Sequence, residues 1–229
     1  MNNRLFETKN LCRHYIRGTY TVKAVDEVSL SINKGDYTAI VGSSGSGKST
    51  ILNLLAGLDT PTSGEIYAEG NKLSDFSRRQ FAQYRAKKIG MIFQSFNLIP
   101  HYTALRNVEM ALYFDDTPKS ERTAKAEAML ASVGLSDRLD HRPADMSGGE
   151  QQRVAVARAL VKEPEVLFAD EPTGNLDLEN SQQIASLLKD LHDKGITVIM
   201  VTHDMSLAEN SAQRIIRMHY GKIVNGETA

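Results

Sequence analysis

Gly42-Ser43-Ser44-Gly45-Ser46-Gly47-Lys48-Ser49-Thr50 fits the pattern G-x-x-x-x-G-K-[ST], and its neighbours put it where that pattern cradles phosphate. Tyr37 to Val41 reads as a strand running into it, and Ile51-Leu52-Asn53-Leu54-Leu55-Ala56 continues as a helix. Glycines at 42, 45 and 47 let the backbone curl until several N–H groups face one anion, and the helix start adds its positive end. Lys48 is then spaced for the β- and γ-phosphates, Ser49 for Mg²⁺, and Thr50 for a more internal phosphate oxygen. Ser and Gly are also ordinary turn residues. The strand before and the helix after favour phosphate binding, which says "nucleotide" and nothing about its use.

The chain has 229 residues and a formal net charge of -1. That length suits one large α/β domain with a sizeable core. A near-neutral chain has no global pull toward nucleic acid or anionic lipid, so no nucleic-acid partner is expected. The single cysteine, Cys12, cannot form an internal disulfide; it reads as a small apolar filler in a reducing compartment. Met1-Asn2-Asn3-Arg4 leads into Leu5-Phe6-Glu7 without an apolar stretch and cleavage site. Apolar runs such as Ile196 to Val201 are too short for a bilayer. The expectation is a chain soluble on its own, with no further domain after Ala229 and any membrane role exercised through a partner.

From the start, Leu5 to Leu11 and Ala24 to Ile32 alternate as strands do, around a turn at Arg17-Gly18-Thr19. Tyr15, just before that turn, is either an aromatic on a half-exposed strand end or a ring that stacks on a purine. Asp59 to Gly64 is dense in turn residues, and Glu65-Ile66-Tyr67 resumes a strand. Ser77 to Lys88 predicts a helix whose cations, Arg78, Arg79, Arg85, Lys87 and Lys88, form a solvated face. Ile89 to Phe93 is a short buried strand ending at Gln94. Residues 103–140 turn helical, with Ala126, Met129, Leu130 and Val133 on one face after Pro118.

A second glycine-bearing stretch, Met146-Ser147-Gly148-Gly149-Glu150-Gln151, opens a helix through Val161. It reads either as an anion-ready helix start or as a plain start with a serine cap. Val166-Leu167-Phe168-Ala169-Asp170-Glu171 delivers two acids at the end of a buried strand. Beside a phosphate loop, Asp170 suits Mg²⁺ and Glu171 suits polarising a water; an acidic turn is the plainer alternative. Ile184, Leu187, Leu188 and Leu191 mark an amphipathic helix closed at Lys194-Gly195, and His203 follows the strand after it. Arg214 to Met218 and Lys222 to Val224 pair around Tyr220-Gly221.

Taken together, these segments resemble the ATPase subunits of ABC transporters. The phosphate loop, Gln94 after its strand, Met146 to Glu150 as a signature, the acidic strand, Asn175-Leu176-Asp177 and His203 stand in that family's order over essentially the whole chain. Two positions depart from the pattern: Met146 where Leu is usual and Glu150 where Gln is common. The resemblance implies an α/β fold, a P-loop NTPase core with a mixed sheet, an N-terminal antiparallel β subdomain and an inserted α-helical subdomain. All of it forms one ABC ATPase domain, with residues 1–93 and 143–229 as the core and about 94–142 as the inserted lobe.

The same resemblance implies ATP and Mg²⁺ as ligands and a homodimer that sandwiches two ATP molecules. By it, Tyr15 stacks on adenine, while Gly42, Ser43, Ser44, Gly45, Ser46, Gly47, Lys48, Ser49 and Thr50 hold phosphates. Ser49, Gln94 and Asp170 attend the metal, Glu171 is the base for water, and His203 and Gln94 sense the γ-phosphate. Ser147, Gly148, Gly149 and Glu150 complete the opposite subunit's site, with Glu150 adding a negative charge near a phosphate. Glu171 to Asp177 and Phe93 to Pro100 look most like the MacB and LolD branch. Those members work with integral membrane permeases in lipoprotein release or in export of peptides and antibiotics. That places the chain at the cytoplasmic face of the inner membrane as a peripheral subunit and leaves a periplasmic adaptor, reached through the permease, open. A chromosome-maintenance ATPase would need a long coiled coil, and a translation-factor ATPase usually carries two cassettes. An amino-acid importer subunit or a cell-division signalling ATPase would share every catalytic residue.

Overall fold

Alternation at the start of the chain becomes two strands, β1 (Arg4–Arg17) and β2 (Tyr20–Asn33), in the structure, a computed structural model that describes residues 3–228. Met1, Asn2 and Ala229 lie outside the described residues. Both strands run longer than their alternation predicts, because Gly18-Thr19 suffices to reverse the chain and pairing resumes at once with Arg17 opposite Tyr20. Gly18 takes φ 59, a left-handed turn that costs glycine little. The chain then gives β3 (Tyr37–Val41), α1 (Lys48–Leu55), β4 (Ser63–Ala68) and the two-residue β5 (Asn71–Lys72).

Next come α2 (Arg78–Lys88), β6 (Ile89–Phe93), α3 (Ala104–Glu109), α4 (Lys119–Ser132), α5 (Gly148–Leu160) and β7 (Val166–Asp170). They are followed by α6 (Leu178–Asp193), β8 (Thr197–Thr202), α7 (Met205–Ser211), β9 (Arg214–His219) and β10 (Lys222–Thr228). The fold divides into two units, residues up to Phe81 with those from Leu191 onward, and Ala82–Asp190.

In the first unit, β2, β1, β4 and β5 form an antiparallel sheet in that order. Every residue of β3 is buried, the mark of a strand covered on both faces. It runs parallel to β8 on one side and β9 on the other, and β9 pairs antiparallel with β10, so this sheet is mixed. A parallel strand flanked on both sides carries its loop and helix at the sheet's C-terminal edge, where ligands bind in open α/β sheets.

In the second unit, β6 and β7 pair in parallel. Its helices close over a core of Ala104, Val108, Leu112, Ala126, Leu130 and Val154 with their neighbours. Ala126, Leu130 and Val133 from the face expected on α4 are buried, with Met129 packed against them. Thr103 caps α3 by accepting the Arg106 N–H. On α2, Arg78 and Arg79 are exposed as expected, Lys87 pairs with Asp116 and Lys88 with Glu165. No helix among the described residues is long and apolar enough to cross a membrane.

Candidate functional site

In the first unit, β3 delivers the chain into the loop at 42–47, and α1 begins directly after it at Lys48. Gly47 is the residue capping α1 from outside, with φ 102, and no side chain closes that helix start. A Cβ at Gly47 would lie 2.0 Å from the Ala24 carbonyl oxygen, so glycine is required twice over, by conformation and by space. Ser46 Oγ is buried without a hydrogen-bond partner. Lys48 is buried, and its Nζ donates to the carbonyls of Gly42 at 2.9 Å and Ser43 at 3.2 Å, holding the cation over the loop. Ser49 is exposed and Thr50 half-buried. An uncapped helix start, a buried ammonium and two adjacent hydroxyls form a donor set that fits a polyphosphate with its divalent cation.

Tyr15 is held more firmly than an aromatic at a strand end needs to be. Its hydroxyl donates to Asp59 Oδ2 at 2.7 Å, and the Arg13 guanidinium stands 4.6 Å from the ring centroid while also bonding Asp59. Desolvation pushes the Asp59 carboxyl up, but bonds from Tyr15 and the Thr60 N–H and the Arg13 charge outweigh it and hold the group below its ordinary range. Sequence reading missed Arg13 and Asp59; they lie 46 positions apart, and only the turn residues around Asp59 hinted that the chain comes back there. His203 is exposed just beyond β8, and Asp204 beside it caps α7 by accepting the Leu207 N–H.

In the second unit, the register of β6 on β7 pairs Phe93 with Asp170. Gln94 and Glu171 therefore step off two neighbouring strand ends together. Glu171 takes φ 47, left-handed for a non-glycine residue, a strain that native folds keep where the local geometry is used. Gly174 N–H donates back to the Glu171 carbonyl at 3.1 Å, making this a tight turn. A Cβ at Gly174 would lie 2.8 Å from Gln94 Nε2, so the glutamine amide packs on the turn where a side chain would otherwise sit. Asn175 Nδ2 donates to the Gln94 carbonyl at 2.9 Å.

The signature packs against the same segment. Ser147 accepts the Glu150 N–H at 3.2 Å and Glu150 Oε2 accepts the Ser147 N–H at 2.8 Å, a reciprocal cap on α5. Arg138 bonds the other Glu150 oxygen at 2.8 Å. That bond, with those at Ser147, pulls the Glu150 carboxyl down to about 2. The charge expected near a phosphate is thus engaged by Arg138 and by the helix start itself. A Cβ at Gly149 would lie 1.9 Å from Asn180 Oδ1, and Asn180 is bound to Asp177.

Two further residues hold the chain after Gln94, and neither carries a sequence motif. Asn107, fully buried, donates to the carbonyls of Ile99, Tyr102 and Thr103 and accepts the Ile99 N–H. Arg158 of α5 donates to the Phe96 and Asn97 carbonyls. Both of those residues have positive φ, at 59 and 50.

This order of elements is also that of a known family: residues 25–174 match the family model described as ABC transporter. The chain belongs to the ABC transporter family. It is an ATP-hydrolysing subunit coupled to transport. An uncharacterized ABC transporter ATP-binding protein of Methanocaldococcus jannaschii is 48% identical over 220 residues, 96% of this chain and 98% of that one. The macrolide export ATP-binding/permease protein MacB of Vibrio parahaemolyticus is 44% identical over 224 residues, 98% of this chain. The chain spans 34% of that MacB's length. Among solved structures, an ATP-binding cassette in a dimeric post-hydrolysis state, bound to ADP and Pi, matches with a TM-score of 0.91 at 40% identity, covering 98% of both chains. A part of an ABC transporter complex of Clostridium perfringens matches with a TM-score of 0.86 at 29% identity, covering 99% of this chain and 89% of that one.

Proposed function

We propose that the chain is the motor of a MacB- or LolD-type transporter, closing as a homodimer on two Mg²⁺-bound ATP molecules and moving an integral membrane permease. The observation that carries this reading is the β6–β7 register, which sets Gln94 and Glu171 off adjacent strand ends in the unit that also holds the signature. MacB relatives at 42 to 46% identity over nearly the whole chain support the branch. The cargo would be extracted or exported through the permease, with the chain on the cytoplasmic face of the inner membrane.

In this reading Tyr15 stacks on adenine with Arg13 behind its ring, and the loop from Gly42 to Thr50 wraps the phosphates. Lys48 exchanges its bonds to the Gly42 and Ser43 carbonyls for bonds to phosphate oxygens. Bound Mg²⁺ would offset charge on the β- and γ-phosphates, held by Ser49, Gln94 and Asp170. Glu171 takes the proton from the attacking water, and His203 and Gln94 report the γ-phosphate. Ser147, Gly148, Gly149 and Glu150 close the partner copy's nucleotide. Only a ligand that binds the closed state better can drive closure, and phosphate release removes that preference.

Glu171→Gln should bind ATP with unchanged affinity and hydrolyse it about 10²–10⁴-fold more slowly. Wild-type turnover in that variant would remove Glu171 from the chemistry. Purification from native membranes should bring a permease with the chain; an integral protein unrelated to MacB-type permeases would break the branch reading.

A further inference from the structure

The β1–β2 hairpin gathers three donor atoms that the nucleotide chemistry leaves unused. Cys12 Sγ, a His14 ring nitrogen and an Asp26 carboxylate oxygen lie within 4.8 Å of one another. Cys12 and His14 are two positions apart on β1 and so share a face. Asp26 comes from β2 across a stretch where the pairing register shifts between Leu11 and His14. His14 Nε2 already stands 3.3 Å from Asp26 Oδ1. A tetrahedral zinc with bonds of about 2.0–2.3 Å spaces its donors about 3.3–3.7 Å apart, so only the sulfur has to close in, by about an ångström.

Backbone groups hold the sulfur in place: the Cys12 thiol donates to the Asn10 carbonyl at 3.6 Å, a bond that it gives up on binding a metal. Glu27, at φ 56, turns the backbone so that its N–H donates to Cys12 Sγ at 3.2 Å. Asp26 is fixed through its own N–H, which donates to the Gly221 carbonyl at 2.8 Å. Cys12 is buried, while the His14 and Asp26 side chains keep 24% and 13% of their exposure, which leaves an entry path. Lys23 and Lys222 each stand 3.5 Å from an Asp26 oxygen, but at 59% and 57% exposed both can swing into solvent. Removing those contacts costs little.

We propose that Cys12, His14 and Asp26 bind a Zn²⁺ ion, with water in the fourth position. Thiolate, carboxylate and neutral imidazole balance the two positive charges of the ion, and the Cys12 proton leaves to solvent on binding. Cys12 is then a ligand rather than the apolar filler its sequence context suggests. The site uses none of the residues assigned to ATP.

The test is a Co²⁺ titration of the full-length chain, chelator-stripped, reduced and free of nucleotide, followed by visible and near-ultraviolet absorption. Cys12 is the chain's sole cysteine, so a sulfur-to-cobalt charge-transfer band reports this site alone. The band should saturate at one equivalent, disappear on adding Zn²⁺ and be absent in Cys12→Ser. His14→Ala and Asp26→Asn, at partly exposed positions, should weaken Co²⁺ binding about 10–100-fold. No band in the wild type, or a band unchanged in His14→Ala and Asp26→Asn, would overturn the proposal.

Discussion

Helices α1 and α5 both begin beside glycines, yet only α5 closes its own start. Gly47 leaves α1 without a side-chain cap, whereas Ser147 and Glu150 cap α5 reciprocally and Arg138 neutralises the carboxylate. In sequence the two look like the same device. In the fold they are opposites: α1 keeps its positive end for an incoming anion, and α5 has already satisfied that end with a carboxylate of its own. What α5 can still offer a phosphate is the Ser147 hydroxyl proton, since a hydroxyl that accepts one bond keeps its donor, together with the Gly148 and Gly149 N–H groups, which the reciprocal cap does not use.

The widest gap should open between the glycines. Gly47→Ala meets a left-handed backbone and the Ala24 carbonyl oxygen at 2.0 Å and should cost about 3 kcal/mol together with nucleotide binding. At Gly148 the nearest atom is 3.6 Å away, and Gly148→Ala should stay within about 0.5 kcal/mol. Denaturant melts of the two variants decide it; equal losses would erase the distinction between the helix starts.

Tyr15→Ala asks how much of the binding α1 supplies alone. It should raise KM for ATP roughly tenfold with little change in kcat, and an unchanged KM returns Tyr15 to the role of strand filler. Smaller again is the cap: Ser147→Ala should cost about 1 kcal/mol of stability. Ser46→Ala, which deletes a buried hydroxyl that has no bond partner, should cost nothing without nucleotide. One further effect shows only in acid. Glu150 titrates at about 2 in the fold against 4.5 for the free group, so its contribution is full above the unfolded value and fades as pH falls from 4.5 toward 2. Glu150→Gln should remove that part of the acid dependence, and an identical acid profile would show that Arg138 does not hold the charge.

What could be read directly from sequence was whatever is local. A strand, a glycine loop and a helix are consecutive residues, so β3 to α1 declared itself, as did the apolar run of β7 ending in Asp170. The serine cap on α5 was visible as the plainer alternative, whereas the return bond, donated by the Ser147 N–H to Glu150, came only with the fold. Hidden were the contacts that close over distance. Asp59 reaches back to bond both Arg13 and Tyr15 from 46 and 44 positions away, and Arg158 holds the Gln94 segment from about sixty. Backbone strain was equally silent: nothing in the letters around Glu171 announces its left-handed φ. Strand lengths were underestimated because β1 and β2 continue past their alternating cores on pairing alone.

The central claim is that two copies close on ATP, each offering its capped α5 start to the nucleotide held at the other's uncapped α1 start. Sedimentation of Glu171→Gln saturated with ATP and Mg²⁺ tests it most directly. A shift to dimer that requires ATP and is lost when Ser147 is replaced by a bulky residue is the result expected; single copies at every ATP concentration would contradict it.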